Sequence, residues 1–521
     1  MKLSFLTKDL PIKGRHGADA DVEISKLAYD TRQVTAGALF CTWRGFKTDG
    51  HRLVADAVAR GAAALMVEKV PESPPNIPVL VVESGRRALA LAAANFYGQP
   101  ARTLDLTGIT GTNGKSSVGF LLHYLKEQAG QKCGLLGTVE YRAGAEKIVS
   151  SRTTPESSDL QALLARIRDA GCQSAVMEVS SHALELDRVY GVPFRAAVFT
   201  NLTRDHLDFH ETLENYFVAK LKLFSSLPAG ALAVVNLDDA RAARVLEAVP
   251  LTARAVTFGF SPSAAYRAEN VQLSATGSVF DFVTPNGALL VRSPWIGKYN
   301  VANTLAALTV MAANGEATLE ELANWLPFAP FVSGRLQKVT HGGGFTVLVD
   351  YAHSDDAVRN VLQSLRPLCR GKLKILLGCG GDRDRTKRPL MALAACELAD
   401  EAIFTADNPR AENLEIILRD MKVGVLNFTN YRVVPDRAAA IVEILRDAAD
   451  GDLIVLAGKG HETTQEINGM FQHFSDVEAA EEVLKRSTGN PACVNNEAPA
   501  ILPVSDKNTD KIVCATLGGA A

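Results

Sequence analysis

At 521 residues the chain is too long for one ordinary hydrophobic core and predicts about three domains. Hydrophobic residues make up 47% of it and charged residues 22%, the balance of a globular protein. A net charge of −3 gives no electrostatic reason to expect nucleic acid or an anionic membrane as partner, and no apolar run approaches the length that spans a bilayer.

The N-terminus, Met1-Lys-Leu-Ser-Phe-Leu-Thr-Lys-Asp-Leu10, turns polar too early for a secretory signal. The eight cysteines are scattered with no Cys-x-x-Cys pair, so they read as small buried hydrophobes in a reducing compartment. A cytoplasmic enzyme is expected. Residues 1–98 read as a small α/β unit, with strands at 39–42 and 63–67 and helices at 54–62 and 87–96. Its loops carry Asp30-Thr-Arg32 and Arg44-Gly-Phe-Lys-Thr-Asp-Gly50, polar stretches that taken alone are ordinary solvated loops. Tyr97-Gly-Gln-Pro100 marks its end.

From 99 to 330, β and α patterns alternate, with strands at 104–110, 133–137, 174–179, 196–201 and 231–236 and helices such as 158–170 and 216–225. Short apolar strands separated by amphipathic helices predict a parallel sheet covered on both faces, with ligands beyond the carboxyl ends of its strands. Thr107-Gly-Ile-Thr-Gly-Thr-Asn-Gly-Lys-Ser-Ser117 follows the first of these strands and opens a helix. That layout is a phosphate-binding loop, although Ile109 stands where the common pattern has its first glycine. Backbone N–H groups and the helix N-terminus would surround a phosphate, Lys115 would reach the outer phosphates, and the Ser116 hydroxyl would ligate Mg²⁺. ATP binding is the working expectation.

Polar clusters follow two further strands: Glu178-Val-Ser-Ser-His182 and Thr200-Asn-Leu-Thr-Arg-Asp-His206. A carboxylate and an imidazole there can ligate Mg²⁺ beside ATP phosphates, although Mg²⁺ favours oxygen and a lone histidine more often caps a turn. Lys220 sits on an apolar helix stripe, where the pattern alone reads as a snorkelling lysine.

Leu326-Pro-Phe-Ala-Pro-Phe331 marks the next boundary, after which strands at 345–350, 373–378, 402–405 and 453–457 predict a third α/β domain, 331–487. Each is followed by polar groups: Asp350-Tyr-Ala-His353, Gly380-Gly-Asp-Arg-Asp-Arg385, Asp407-Asn-Pro-Arg410 and Gly458-Lys-Gly-His-Glu462. Arg383 and Arg410 offer bidentate recognition of carboxylates, and Asp407 and Glu462 can meet an ammonium, so the group suits a zwitterion such as an amino acid. Any single pair among them reads more readily as a structural salt bridge, but the whole group does not. Residues 488–521, rich in Asn, Pro, Ala and Gly, read as a loose tail.

Thr110-Gly-Thr-Asn-Gly-Lys-Ser116, Glu178-Val-Ser-Ser-His182, Asn201-Leu-Thr-Arg-Asp-His-Leu-Asp208, Tyr299-Asn-Val-Ala-Asn303, Ser333-Gly-Arg335, Asp350-Tyr-Ala-His353 and Gly458-Lys-Gly-His-Glu462 occur together and in order. In that combination, over residues 20–486, the chain resembles the Mur ligase family, and within it the diaminopimelate-adding branch. The resemblance implies an N-terminal UDP-sugar-binding domain, a central ATPase and a C-terminal Rossmann-like domain for the incoming amino acid. It implies an ATP-dependent, ADP-forming ligase of peptidoglycan precursor synthesis that joins meso-2,6-diaminopimelate to the D-glutamate of UDP-MurNAc-L-Ala-D-Glu. It aligns Lys220 with the family's carbamoylated lysine (N6-carboxylysine). Two Mg²⁺ ions follow from it, one near Ser116 and the ATP phosphates, the other held by Glu178, His206 and modified Lys220.

The resemblance extends the ATP site over Gly111, Thr112, Asn113, Gly114, Lys115, Ser116 and Ser117, with Asn300 and Arg335. Tyr29, Thr31, Phe46, Lys47 and Thr48 align with uridine-nucleotide contacts, and Thr153, Thr154, Ser180 and Arg188 with contacts to the muramyl dipeptide. Leu186 stands where the family has a glutamine, and Arg152 where an asparagine often precedes the two threonines. Asp407, Asn408, Pro409 and Arg410 form the family's signature for diaminopimelate. Arg383 and Arg410 would clasp its distal carboxylate, and Gly458 and Glu462 would receive its ammonium. A monomer is expected. Addition of L-lysine, a folylpolyglutamate-synthase-like reaction, or a nucleotide-binding regulator that has lost catalysis are the competing expectations.

Overall fold

A computed structural model describes residues 1–45 and 48–488. Phe46, Lys47 and residues 489–521 lie outside the described residues, and with them two expected uridine contacts and all but the first residue of the expected tail.

The chain forms three main sheets, drawn from residues 12–82, 105–293 and 337–457. The first has five strands, in the order Ile12–His16, Val79–Val82, Ala62–Val67, Ala38–Cys41, Lys26–Ala28, and only the first pairing is antiparallel. The helix expected over 54–62 is shorter, Val54–Ala59, because Gly61 turns the chain at φ +97° directly into the strand Ala62–Val67.

The central sheet has eleven strands. Six form a parallel core, in the order Arg254–Gly259, Leu232–Asn236, Ala196–Phe199, Asp105–Thr110, Ser174–Glu178, Cys133–Leu136. The purely parallel sheet expected from the sequence is corrected at both edges. Glu140–Ala143 and Glu146–Val149 add an antiparallel hairpin to one; at the other, Tyr266–Ser274 pairs parallel with Arg254–Gly259 and is followed by the antiparallel strands Gly277–Thr284 and Gly287–Ser293. These edge strands alternate between buried and exposed residues instead of forming continuous apolar runs, as antiparallel strands with one wet face do.

Side chains alternate across the core strands. Ile109, Val176, Val198 and Val234 face the helices Lys115–Gln128 and Lys298–Asn314, while Leu106, Met177, Phe199 and Val235 face Ser157–Asp169 and Leu213–Ser225. Val301, Leu305 and Leu308 of the long helix are fully buried, worth roughly 1.5–3 kcal/mol each. Strand Asp105–Thr110 lies between Ala196–Phe199 and Ser174–Glu178, so the strand order reverses beside it. Such a switch point opens a crevice at the strand ends.

The third sheet has six strands, in the order Gln337–Val339, Thr346–Asp350, Leu453–Ala457, Leu373–Cys379, Glu401–Ala406, Tyr431–Val433, parallel except for the first pair. A separate hairpin, Thr464–Ile467 with Met470–His473, precedes the last helix. Among the described residues no helix is long and apolar enough to cross a membrane.

Candidate active site

The loop after strand Asp105–Thr110 is built on two glycines whose conformation and close neighbours disfavour any side chain. Gly111 has φ +150° and a Cβ there would lie 1.9 Å from Thr200 Oγ1; Gly114, the N-cap of helix Lys115–Gln128, has φ +89° and its Cβ would lie 2.3 Å from Asn303 Oδ1. The next strand end pins the loop: the Thr112 N–H donates to Asn201 O and the Asn113 N–H to Asn201 Oδ1, both at 2.9 Å. Ser116 and Ser117 lie buried in the first helical turn, where the helix dipole favours an anion.

Two lysines converge on one carbonyl. Lys115 Nζ donates to Gly111 O (3.0 Å) and Thr112 O (2.9 Å), and Lys220 Nζ donates to the same Gly111 O (2.9 Å) from helix Leu213–Ser225. Lys220 is 1% exposed, with its ammonium 4.3 Å from the Tyr216 ring centre, so it is a buried lysine and not the snorkelling one its pattern suggested. Burial, reinforced by the charge of Lys115, pushes its amine well below the ordinary lysine value, and burial lowers Lys115 as well.

Glu178 ends strand Ser174–Glu178 and is 2% exposed. Its Oε1 accepts from Ser116 Oγ (2.8 Å) and the Thr138 N–H (2.9 Å), and Oε2 accepts from Thr138 Oγ1 (3.1 Å). Thr138 was not singled out in the sequence; it precedes an edge strand that carries no motif. Its hydroxyl also meets Thr153 Oγ1 at 2.9 Å. Thr154 donates to Glu178 O (2.8 Å) and accepts from the Ser180 N–H (3.0 Å), so the expected dipeptide residues adjoin Glu178 directly. Arg188 donates to Thr154 O (3.0 Å) and pairs with Glu156, which also takes Arg152 (2.8 Å) and Arg86 (3.5 Å). Glu156 and Arg86 were missed because a charge cluster spread over three elements has no sequence spacing. Leu186 contributes its carbonyl to Arg86 at 3.4 Å. In the first domain the Tyr29 hydroxyl donates to Asp159 of the central domain (2.7 Å), Thr31 is buried, and the Gly45 N–H donates to Thr48 O (3.0 Å).

His206 has φ +54° and packs edge-on against His182 at 4.8 Å, with Asp205 Oδ2 3.6 Å from its Nε2. Desolvation pulls its imidazole below the ordinary histidine value against the pull of Asp205, which favours the neutral ring. Among the described residues no group of three or more His, Cys, Asp or Glu side chains is assembled for a metal. The Ser116 hydroxyl with the Glu178 carboxylate is an oxygen pair of the kind Mg²⁺ takes. A site using Glu178 and His206 needs a further anionic ligand.

A cavity of about 600 Å³ opens between the central and third domains, with Asn113, Gly114, Ser116, Asn303, Arg335 and Asp350 on its walls. Arg335 stacks over Tyr351 (4.9 Å) and its guanidinium donates to Ser116 Oγ at 3.3 Å. Asn300 does not line this cavity: its amide donates to Ile296 O (2.9 Å) and its Oδ1 accepts from Asn303 Nδ2 (3.1 Å), so Asn303 is the wall residue. Asn113 donates to Asp356 (3.0 Å) and Arg204 to Thr386 (2.6 Å), tying the two domains across the opening.

In the third domain, Asp407, Gly380 and Gly458 end three neighbouring strands. A Cβ on Gly380 would lie 2.9 Å from a terminal nitrogen of Arg410 and 3.8 Å from Arg383 Cγ, and one on Gly458 would lie 3.4 Å from Asp407 Oδ2. Arg410 has φ +54°, donates to Gly381 O (2.8 Å) and pairs through Nε with Glu466 (3.3 Å). Glu466, on the following hairpin, was missed. Asn408 Nδ2 donates to Glu462 Oε2 at 2.7 Å and the Tyr351 hydroxyl to Glu462 Oε1 at 3.4 Å, while Pro409 O accepts the Glu412 N–H at 3.1 Å. Arg383 and Arg410 thus lie beside Gly380, and Asp407 and Glu462 follow the neighbouring strands.

Three family models match the chain in order: the Mur ligase family catalytic domain at residues 23–97, the Mur ligase middle domain at 109–311, and the Mur ligase glutamate ligase domain at 334–460. The UDP-N-acetylmuramoyl-L-alanyl-D-glutamate–2,6-diaminopimelate ligase of Bacillus licheniformis is 42% identical over 492 residues, covering 93% of this chain and 99% of that one. The enzyme of the same name from Solibacter usitatus is 44% identical over 471 residues, covering 89% and 94%. A solved structure bearing that name superposes with a TM-score of 0.64 at 32% identity, covering 90% and 96% of the two chains. The MurF ligase of Thermotoga maritima in complex with ADP shares the fold, with a TM-score of 0.60 at 18% identity over 88% and 97%. With three successive domain matches and relatives this similar along nearly its whole length, the chain belongs to the Mur ligase family.

Proposed function

We propose that the protein is an ATP-dependent ligase that adds meso-2,6-diaminopimelate to the D-glutamate of UDP-MurNAc-L-Ala-D-Glu, forming an amide and releasing ADP and phosphate. The observation that carries the amino-acid choice is the placement of Arg383 and Arg410 beside Gly380, at strand ends next to those of Asp407 and Glu462. Two cations suit a second carboxylate, which L-lysine lacks, and the carboxylates suit an ammonium. Likeness to the diaminopimelate ligases of Bacillus licheniformis and Solibacter usitatus supports the same choice.

In this reading the first domain, 1–98, holds the UDP-sugar, the central one, 99–330, ATP, and the third, 331–487, the amino acid. Lys115 leaves its loop carbonyls for the outer phosphates, which restores the charge that burial disfavours. Arg335 and Asn303 hold the nucleotide in the cavity between the domains. Thr153, Thr154, Ser180 and Arg188 present the substrate's D-glutamate carboxylate next to Glu178, so that it attacks the γ-phosphate. The acyl phosphate so formed is attacked by the free amine of diaminopimelate, and phosphate leaves. Domain contacts such as Asn113 to Asp356 support closure that keeps water from the acyl phosphate.

Lys220 enters this scheme as a carbamate. Its buried amine, which burial pushes toward the neutral form, adds to CO₂ with loss of one proton and becomes the anionic ligand that Glu178 and His206 need beside them. Ser116 and Glu178 would hold one Mg²⁺, and Glu178, His206 and carbamoylated Lys220 a second. Bound there, the ions supply positive charge to the phosphates. The six described cysteines are free thiols, which supports a reducing, cytoplasmic setting, and a monomer without nucleic acid or membrane insertion completes the reading.

One assay tests it: ADP release with ATP, UDP-MurNAc-L-Ala-D-Glu and either meso-diaminopimelate or L-lysine. Turnover with the first amino acid and little with the second is expected. Equal turnover would remove the carboxylate-clasp reading, and turnover with neither would remove the reaction.

A further inference from the structure

The amino-acid pocket contains a buried cation to which the preceding reading gives no role. Lys459 follows Gly458 at the end of strand Leu453–Ala457, and its side chain is 0% exposed. Its ammonium donates to Asn408 Oδ1 at 3.2 Å, Glu462 Oε2 at 3.4 Å and Thr464 O at 2.6 Å, which uses all three of its donors. The acceptors come from three separate places: the loop after strand Glu401–Ala406, the loop after strand Leu453–Ala457, and the first strand of the hairpin. Asn408 completes the network, accepting the Glu466 N–H at 3.0 Å on the same oxygen and donating its amide nitrogen to Glu462 at 2.7 Å.

Two carboxylates lie nearest this ammonium. Asp407 and Glu462 both face Lys459, with Asp407 Oδ1 3.9 Å from its nitrogen, buried and without a hydrogen-bond partner. Arg437, the other cation near Asp407, is spent on Asp476 at 2.6 Å, both side chains 0% exposed. Lys459 is thus the cation that faces both of these carboxylates, while Arg410 is held by Gly381 O and Glu466. Lys459 cannot itself touch the ammonium of a ligand, since like charges repel in a buried site.

We infer that Lys459 is the positioning residue of the amino-acid site, locking Asn408 and Glu462 into one rigid acceptor for the ammonium of the incoming amino acid. The inference rests on the proposed role of Glu462 as the ammonium contact. It also explains why the hairpin is attached where it is: Thr464 O and the Glu466 N–H fasten it to the same network that faces the ligand.

A double-mutant cycle on the full-length protein tests this, with KM for meso-diaminopimelate and KM for ATP measured for Lys459→Met, Glu462→Gln and the pair. Lys459→Met is expected to raise KM for meso-diaminopimelate about tenfold or more and to leave KM for ATP within about twofold, a split that a general structural defect would not give. The double variant is expected to match Glu462→Gln within about twofold, because Lys459 acts through that carboxylate. It also removes the Glu462 charge together with the lysine's, so it leaves one carboxylate facing the lost cation where Lys459→Met alone leaves two. Both KM values moving together in Lys459→Met, neither moving, or a double variant about tenfold worse than Glu462→Gln would each overturn the inference. If Glu462→Gln itself leaves KM for meso-diaminopimelate unchanged, the ammonium contact is wrong and the inference falls with it. A failed Lys459 arm beside an effective Glu462 arm refutes Lys459 alone.

Discussion

Gly114→Ala is the most direct test of how the phosphate loop is built. At φ +89° an alanine costs about 1–2 kcal/mol in backbone strain alone. Its Cβ would stand 2.3 Å from Asn303 Oδ1, so Asn303 must rotate, breaking its bond to Asn300 (3.1 Å) for about 1 kcal/mol more. Gly130, at the other end of the same helix, is the control: φ is +76° and nothing lies within 4 Å of its Cβ. Both substitutions should lower the melting temperature, by roughly 2–8 °C from the shared strain in a domain of this size. Only Gly114→Ala should also lose nucleotide. Displacing one phosphate-facing hydrogen bond, worth about 1.5–3 kcal/mol when charge-assisted, weakens ADP or ATP roughly 10–100-fold by calorimetry. If Gly114→Ala binds nucleotide like the wild type, or Gly130→Ala loses as much, the loop does not work through Gly114 and Asn303.

Lys220→Ala should cut ligase turnover by about 100-fold or more, and millimolar short carboxylates should restore part of it by replacing the lost anion; undiminished activity would remove Lys220 from the mechanism. Arg410→Ala should raise KM for meso-diaminopimelate by about 10–100-fold, the worth of one charge-assisted bond, with KM for ATP almost unmoved, and equal changes in both would refute its assigned role. His461 gives a pH prediction. Burial holds its imidazole down to about 4 in the folded chain against 6.5 ordinarily, so below pH 6.5 the unfolded state takes up the proton first. Stability from this neutral ring is complete above pH 6.5 and drains away as pH falls toward 4, so melting temperatures should decline over that window and His461→Asn should flatten the slope. An identical slope in the variant would exclude His461 as the source.

The sequence determined the parts of the protein whose chemistry is local. Strands such as 174–179 and 373–378 hold short apolar cores at 175–177 and 375–377, bounded by turn signals, and that pattern points to a buried parallel strand. The phosphate loop was legible because glycine, lysine and serine must follow one another in a single turn, and each polar cluster at a strand end because the topology of such sheets puts ligands there. The edge hairpins at 140–149 and 266–293 were not legible, since half-exposed alternation is weak against the background of polar loops. Neither were Thr138, Glu156 and Arg86, whose partners lie on different elements and share no spacing. Lys220 is the clearest division between the two sources of information. Its helix and its position were readable, but whether that amine reached water or a buried carbonyl depended on how helix Leu213–Ser225 packs over the phosphate loop. Only the tertiary structure brings it to Gly111 O beside Lys115, and burial there, rather than anything in its own sequence neighbourhood, lowers the proton affinity of the amine.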